Sequence, residues 1–391
     1  MRLGLVRAVM EQSTKKSKVV KQFNMSSFVQ RRVALKVAYL GWDYSGNTTM
    51  QSAKLEDENT VEARLIEALV KIRLIESLES CNLSRCGRTD KGVSAWANVV
   101  ALTVRSALYG AGAAACTDPG LILPAEKEDK KKDCAVEVDY CRAINKVLPE
   151  DVRVVAWSPV SDTFDARFNA RSRAYKYYFL RDGMDVERMR QAAKLLEGEH
   201  DFRNFCKLDL ENTKSWTRSV LETSIEAVEG SADVCVARIK GSAFLWHQIR
   251  YIMAVLFHVG RGLEQPEVVA ALLDVERVAG RPEFAMASDV PLVLYQCEFG
   301  PGDVDWRFGP GREGLSNEFA LYAQLHALYE NLAMRASIVR DMMREMERPD
   351  FEDRRRREDY GAAGKYVPLL QRPRLASVES KMAKADKAKQ T

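Results

Sequence analysis

Apolar positions in this 391-residue chain change period several times, and each change marks an element. VALKVAYL (33–40) is β-branched and apolar enough for a strand buried on at least one face. A turn-like GWDYSGN follows, and Asn59 with Glu62 then forms a capping-box pattern ahead of Val61, Leu65, Leu69 and Ile72 on one helical face. ANVVALTV (97–104) is a second strand. DYCRAINKVLPEDVRVVAWSPV combines a short helix, ended near Pro149, with a strand around Val152–Trp157. SRAYKYYFL (172–180) alternates, with Arg173, Tyr175, Tyr177 and Phe179 on one face. A helix over 185–197 and strands near 219–228 and 233–241 come next. Leu245, Ile249, Ile252, Met253 and Leu256 form an apolar helical stripe broken by Gly260, and VPLVLYQCEF (290–299) is the last strand.

Two similar runs of strands and helices around a long middle predict an α+β protein with a mixed or antiparallel sheet. Its two halves span 33–158 and 159–310. A basic arm (1–32) precedes them, and a helical, partly disordered extension (311–391) with DRRRRED and a Lys/Ala-rich end follows. The low-complexity stretch 106–134, with GAGAAACTDPG and EKEDKKKD, reads as a flexible surface insertion.

Composition narrows the class. Hydrophobic residues make up 46% and charged residues 29%, as in a soluble globular chain, and a net charge of +4 leaves any nucleic-acid partner to local clusters. No apolar run approaches the ~20 residues of a membrane span. Eight cysteines without a CxxC pair point to reduced intracellular thiols and no structural metal. The first 32 residues hold eight Lys or Arg against Glu11 alone, which suits a solvated arm, a nucleic-acid-binding extension or a targeting segment equally. Nucleus or cytoplasm is the expected compartment, with the mitochondrion open.

Familiar catalytic motifs are missing. There is no phosphate-binding P-loop, no G-x-G-x-x-G after a strand and no G-x-S-x-G elbow, and the four histidines are isolated in sequence. His247 and His258 are expected in or beside a core helix. What remains is SRCGRTDKGVSAWANVVAL (84–102), where Asp90 sits in a glycine-flanked loop between a helix and a strand. Such a turn can be merely solvated, or its carboxylate can react. A reacting carboxylate held in a pocket needs a cation beside it. Arg250, alone on an apolar helix, could serve or could snorkel to the helix edge. The Arg173–Tyr175–Tyr177 face could stack on an unpaired base or be an ordinary sheet face.

CGRTDKGVSA (86–95) resembles the catalytic motif of the TruA-type pseudouridine synthases over all ten residues. FDARFNARSRAYKY (164–177) and FLWHQIRYIMAVLFHVGRG (244–262) resemble two further motifs of that family, in its order. With INKVLPEDVRVVAW (144–157), the resemblance spans roughly residues 33–300. YLGWDYSG, HDFRNFCK (200–207) and YVPLLQRPRL (366–375) look most like the eukaryotic tRNA pseudouridine-38/39 synthases.

The resemblance implies the pseudouridine synthase fold around a central RNA-binding cleft, and tRNA as partner, with a homodimer open. Asp90 would be the catalytic carboxylate and Arg88 would fill the space of a flipped base. Tyr175 would stack on the uracil and Arg250 would hold Asp90 ionised. The reaction would need no cofactor or metal. The sequence departs from the family where Gln51 comes late and where Asn98 replaces a common glutamine, both expected at the substrate rim. A synthase acting on rRNA, or an inactive RNA-binding or assembly factor with this fold, are the alternatives. An aspartate-nucleophile phosphatase would want a second Asp where Gly92 stands.

Overall fold

The computed structural model describes residues 24–46, 59–124, 132–231, 233–308, 314–346 and 366–390. In the first half, β1 (Gln30–Tyr39) is followed by α1 (Val61–Lys71), β2 (Ser84–Arg85), β3 (Ser94–Arg105), α2 (Ala111–Ala114), β4 (Leu121–Ile122), α3 (Tyr140–Asn145) and β5 (Val152–Pro159). The second half contains β6 (Ser172–Leu180), α4 (Val186–Lys194), β7 (Gly198–Asp201), β8 (Thr217–Ala227), β9 (Val234–Gly241), α5 (Gln248–Gly260), α6 (Val268–Leu273) and β10 (Leu292–Glu298). Two helices follow, α7 (Gly314–Met346) and α8 (Val378–Gln390).

One ten-stranded sheet runs β4-β1-β3-β10-β6-β9-β8-β7, with β2 on β3 and β5 on β1. Every pairing is antiparallel except β10 with β3, where Val293 and Leu294 lie opposite Ser94 and Ala95. The alternation of β1 explains the layering. Val33, Leu35, Val37 and Tyr39 face a core shared with Leu65 and Leu69 of α1 and Tyr140 and Ile144 of α3. Ala34 faces a smaller cluster with Val99, Ala101 and Phe164. A second core lies in the other half, where Met189 of α4 and Ile252, Val255 and Leu256 of α5 cover Ile225, Ala237 and Ile239. Leu292 belongs to one core and Leu294 to the other, so β10 joins the halves.

Several boundaries move. The helix cap is Thr60, whose hydroxyl accepts from the Ala63 N–H, in place of the expected Asn59–Glu62 box. Glu62 is buried and pairs with the Arg85 guanidinium at 2.7 Å. β1 begins at Gln30, inside the expected arm, and two of the arm's eight cations belong to the fold. Arg31 is 1% exposed and lies 2.8 Å from Glu137 and 3.6 Å from Asp118. Arg32 donates to the carbonyls of Asn82 and Phe164.

The 106–134 stretch is also not a loose insertion over its described part. β4 pairs with β1, Leu108 and Ala113 are buried, and Asp118 clamps Arg307 through two bonds of 2.7 and 2.8 Å. Residues 125–131, which include most of EKEDKKKD, lie outside the described residues, as do Gln51, DRRRRED and the arm before residue 24. The expected disorder of the C-terminal extension does not hold over 366–390. Leu369 is fully buried in the second core, and α8 follows.

Candidate active site

The 86–93 loop connects β2 to β3 at the place where β3 exchanges β2 for β10 as its neighbour. A short strand, rather than a helix, therefore precedes the loop. The Val93 N–H donates to the Asp90 carbonyl at 3.2 Å, closing a turn whose third residue, Gly92, has φ +80°. L-residues pay for that conformation and glycine does not. Space makes the same demand, because a Cβ at Gly92 would stand 2.9 Å from Cγ of Asp289. The GWDYSG turn packs against the loop, with the Gly92 N–H donating to the Tyr44 carbonyl at 3.2 Å.

Beneath the loop runs a polar chain. The buried Asn98 carboxamide accepts from the Gly87 N–H at 3.2 Å and donates to the Gly87 carbonyl at 3.0 Å. It also donates to the Tyr39 hydroxyl, which lies 2.8 Å from that of Thr89. Asn98 thus belongs under the loop, not at the substrate rim as its sequence position suggests. Arg88 is exposed at the turn.

Asp90 is 29% exposed and faces the start of α5. The Trp246 indole N–H donates to Oδ1 at 3.2 Å, and His247 Nε2 lies 3.5 Å from Oδ2. Arg250 is not the direct partner that the sequence suggests. Its Nε donates to the Ala287 carbonyl at 2.8 Å, and its closest carboxylate is Asp289, at 3.8 Å. Those contacts hold the guanidinium in place and rule out snorkelling, and its charge still acts on Asp90. Burial pushes the Asp90 carboxyl up from its ordinary value. His247, Arg250 and the Trp246 hydrogen bond pull it back, while Asp289 adds to the rise. Burial also pushes the His247 imidazole down, against the pull of Asp90.

His247 has φ +62°, an uncommon conformation for a non-glycine residue, at the N-cap of α5. It and Arg250 are three residues apart, one helical turn, a spacing that could have brought His247 forward from the sequence. Asp289 carries no such signal, since it reaches the site only through the strand order. Lys207 covers the Trp246 ring at 4.1 Å.

The aromatic face of β6 divides. Tyr177 and Phe179 are buried in the second core, and the Arg173 guanidinium is occupied by the carbonyls of Ala170, Ser242, Cys86 and Arg167. Only Tyr175 stays half-buried at the seam, edge-on to Phe244 with ring centroids 5.3 Å apart. Its phenol is pushed well above its ordinary value, chiefly by burial and also by Cys297 and Asp90. The site therefore offers one ring, not a broad stacking platform.

A family model described as tRNA pseudouridine synthase matches residues 192–300, the segment that supplies Trp246, His247, Arg250 and Asp289. The chain is 37% identical over 333 residues to the probable tRNA pseudouridine synthase tag-124 of Caenorhabditis elegans, covering 81% of this chain and 80% of that protein. The chain belongs to the tRNA pseudouridine synthase family. Its similarity to the tRNA pseudouridine(38/39) synthase of Saccharomyces cerevisiae is 36% identity over 385 residues, covering 96% of this chain and 82% of the yeast protein. To the protein of that name from Bos taurus it is 38% identical, across 82% of this chain and 65% of the bovine one. The α+β architecture with a mostly antiparallel sheet agrees with membership of this synthase family. Among the described residues no helix is long and apolar enough to cross a membrane.

Proposed function

We propose that the protein isomerises uridine to pseudouridine in the anticodon stem-loop of tRNA, at positions 38 and 39, with Asp90 as the catalytic carboxylate. One observation carries the reading. A largely buried carboxylate lies on a tight loop and is held between an indole N–H and an imidazole, with a fixed guanidinium nearby. A carboxylate so placed can assist departure of uracil from the ribose C1′, or add to the ring at C6. Either way the uracil turns and rejoins C1′ through C5, the C5 proton leaves and N1 gains one. Substrate and product are isomers, so the step balances without an oxidant or an energy source.

The target base has to leave its stack to reach this depth. Exposed Arg88, two residues from Asp90, is suited to fill the vacated space, and Tyr175 to stack on the extruded ring. Arg250 keeps Asp90 ionised through space, with Asp289 as its anchor. We also infer a homodimer through α7. There Tyr322, Leu325, Tyr329, Leu332, Val339, Met343 and Met346 are all exposed, at the alternating three- and four-residue steps of a helix–helix seam with Ala336 between.

The test uses Asp90→Asn, nearly isosteric but unable to act as a carboxylate. Pseudouridine mapped in tRNA incubated with purified protein is expected at 38 or 39 with the native chain and nowhere with the variant, whose RNA binding persists. Product formed by the variant would remove Asp90 from the chemistry. Modification confined to rRNA would move the substrate.

A further inference from the structure

Two segments that look like the 38/39 synthases lie 159 residues apart and meet in space: HDFRNFCK (200–207) and the YVPLLQRPRL return (366–375). The return is pinned at several points. The Tyr366 hydroxyl and the Leu369 N–H both donate to Glu264, at 2.8 and 2.6 Å. The Glu283 N–H donates to the Pro373 carbonyl, and the Leu375 N–H to that of Arg281, each at 3.0 Å. Gly280 permits the approach, since a Cβ there would sit 2.2 Å from the Leu375 carbonyl oxygen. Between the segments lies a cavity of about 290 Å³, lined among others by Arg203, Lys207, Tyr251, Arg281, Ser377 and Lys381.

The charges around it do not balance. Arg203 is matched by Asp201 and Glu379 at the rim. Among the described residues, Lys207, Arg281 and Lys381 have no carboxylate within ion-pair distance, and no Asp or Glu lines the cavity. Arg281 is the telling group. Its guanidinium lies 3.9 Å from the Tyr251 ring centroid and 5.4 Å from that of Phe284, and makes one 3.4 Å bond to the Phe284 carbonyl. Among the described residues, only the Tyr251 hydroxyl and the Cys206 thiol act on it as groups able to become anionic. A half-buried guanidinium without a countercharge costs free energy that an anion in the cavity would recover. The cavity also adjoins the reaction centre, because Lys207 covers Trp246, whose indole holds Asp90.

We propose that this cavity, built by the Arg203–Leu208 segment, Arg281 and the Leu375–Lys381 return, is a phosphate subsite for the RNA strand carrying the target uridine. The proposal rests on RNA being the substrate. It also gives YVPLLQRPRL, which reaches no catalytic group, a part in substrate binding.

Equilibrium binding of a full tRNA transcript is measured at several salt concentrations, using full-length Asp90→Asn so that the RNA stays unreacted. Adding Arg281→Gln and Lys381→Gln is expected to weaken binding at least tenfold near 0.1 M salt. The slope of log affinity against log salt should become shallower by about 1.4, which is 0.7 for each of two single-strand phosphate contacts. Arg281→Lys with Lys381→Arg keeps the charge and should restore most of the slope. In the native-Asp90 background, kcat/KM should fall by the same factor, mainly through KM. If Arg281→Gln unfolds the return, Lys381→Gln alone, on exposed α8, must still take about 0.7 from the slope.

An unchanged slope in a folded double variant would overturn the subsite. So would a cavity that binds inorganic phosphate while tRNA affinity stays unaffected. Failure of the functional reading is separate: native protein that binds tRNA with the expected slope but forms no pseudouridine leaves the subsite standing.

Discussion

Replacing Gly92 by alanine tests whether the turn geometry, and not merely the presence of Asp90, is needed. The substitution adds two perturbations of different kinds. A β-carbon at φ +80° costs on the order of 1–2 kcal/mol of backbone strain. It also meets Asp289, with contacts of 2.9 Å to Cγ and 3.2 Å to both carboxylate oxygens. Either Asp289 retreats, loosening its hold on Arg250, or the turn lifts and carries Asp90 with it. A displacement near 1 Å at a reacting group costs about 10²-fold in rate, about 2.7 kcal/mol of transition-state stabilisation. Gly183→Ala is the control, since Gly183 has φ +64° but no atom within 4 Å of its would-be Cβ. Both variants should show similar small drops in thermal midpoint. Single-turnover release of tritium from C5-labelled uridine in tRNA should fall about 10²-fold in Gly92→Ala alone. A Gly92→Ala enzyme within about threefold of the native rate would refute the argument from loop geometry.

Charge variants should move the pH profile in opposite directions. As the proposed catalytic carboxylate, Asp90 acts ionised, so activity should rise with pH through its titration. Arg250→Met removes a charge that lowers the Asp90 value, shifts the acid limb of kcat/KM to higher pH and costs about 10²-fold at neutral pH. Asp289→Asn removes a charge that raises it, and the limb should move to lower pH; shifts of the same sign in both variants would contradict the electrostatics. Asp118→Ala leaves the buried Arg31 with Glu137 as its one carboxylate partner among the described residues, and Arg307 with Asp305. It should cost about 2 kcal/mol, a buried-pair loss discounted for Asp118's 31% exposure and read as a lower urea midpoint; an unchanged midpoint would return 106–124 to the status of a dispensable insertion.

Local rules made much of the fold legible. SRAYKYYFL alternates at period two and is a strand over the predicted residues, 172–180. The Leu245–Leu256 stripe has helical period and became α5. CGRTDKGVSA carries its own turn chemistry, so Asp90 and Gly92 could be picked out before any contact was known. The misreadings share a cause, namely groups whose partners are distant in sequence. Arg31 and Arg32 read as arm cations because Asp118, Glu137 and the Asn82 and Phe164 carbonyls lie 50 to 132 residues away. The Gly/Ala-rich 106–124 stretch looked unable to pack, yet small side chains suffice where β1 supplies the partner surface. Helical spacing singles out Arg250 as a countercharge but cannot reveal that Ala287 and Asp289 hold its guanidinium.

Asp90 comes from the first half of the molecule, whereas Trp246, His247, Arg250 and Asp289, which set its charge, all come from the second. Among the described residues, no hydrogen bond or ion pair from the first half holds its carboxylate; the Asn98–Tyr39–Thr89 chain fixes the backbone beneath it instead. The two contributions meet where β10 lies parallel to β3, with Leu292 in one core and Leu294 in the other. The same strand's approach carries Asp289, whose carbonyl accepts from the Leu292 N–H at 2.9 Å. Seating β10 therefore packs both cores and delivers the anchor for Arg250 at once. In a half-folded chain the carboxylate is hydrated and ionises readily; the burial that raises its value and the groups that lower it arrive in the same step. Asp90 gains its electrostatic environment only when the two halves have closed on each other, which is also when the cleft exists to receive RNA.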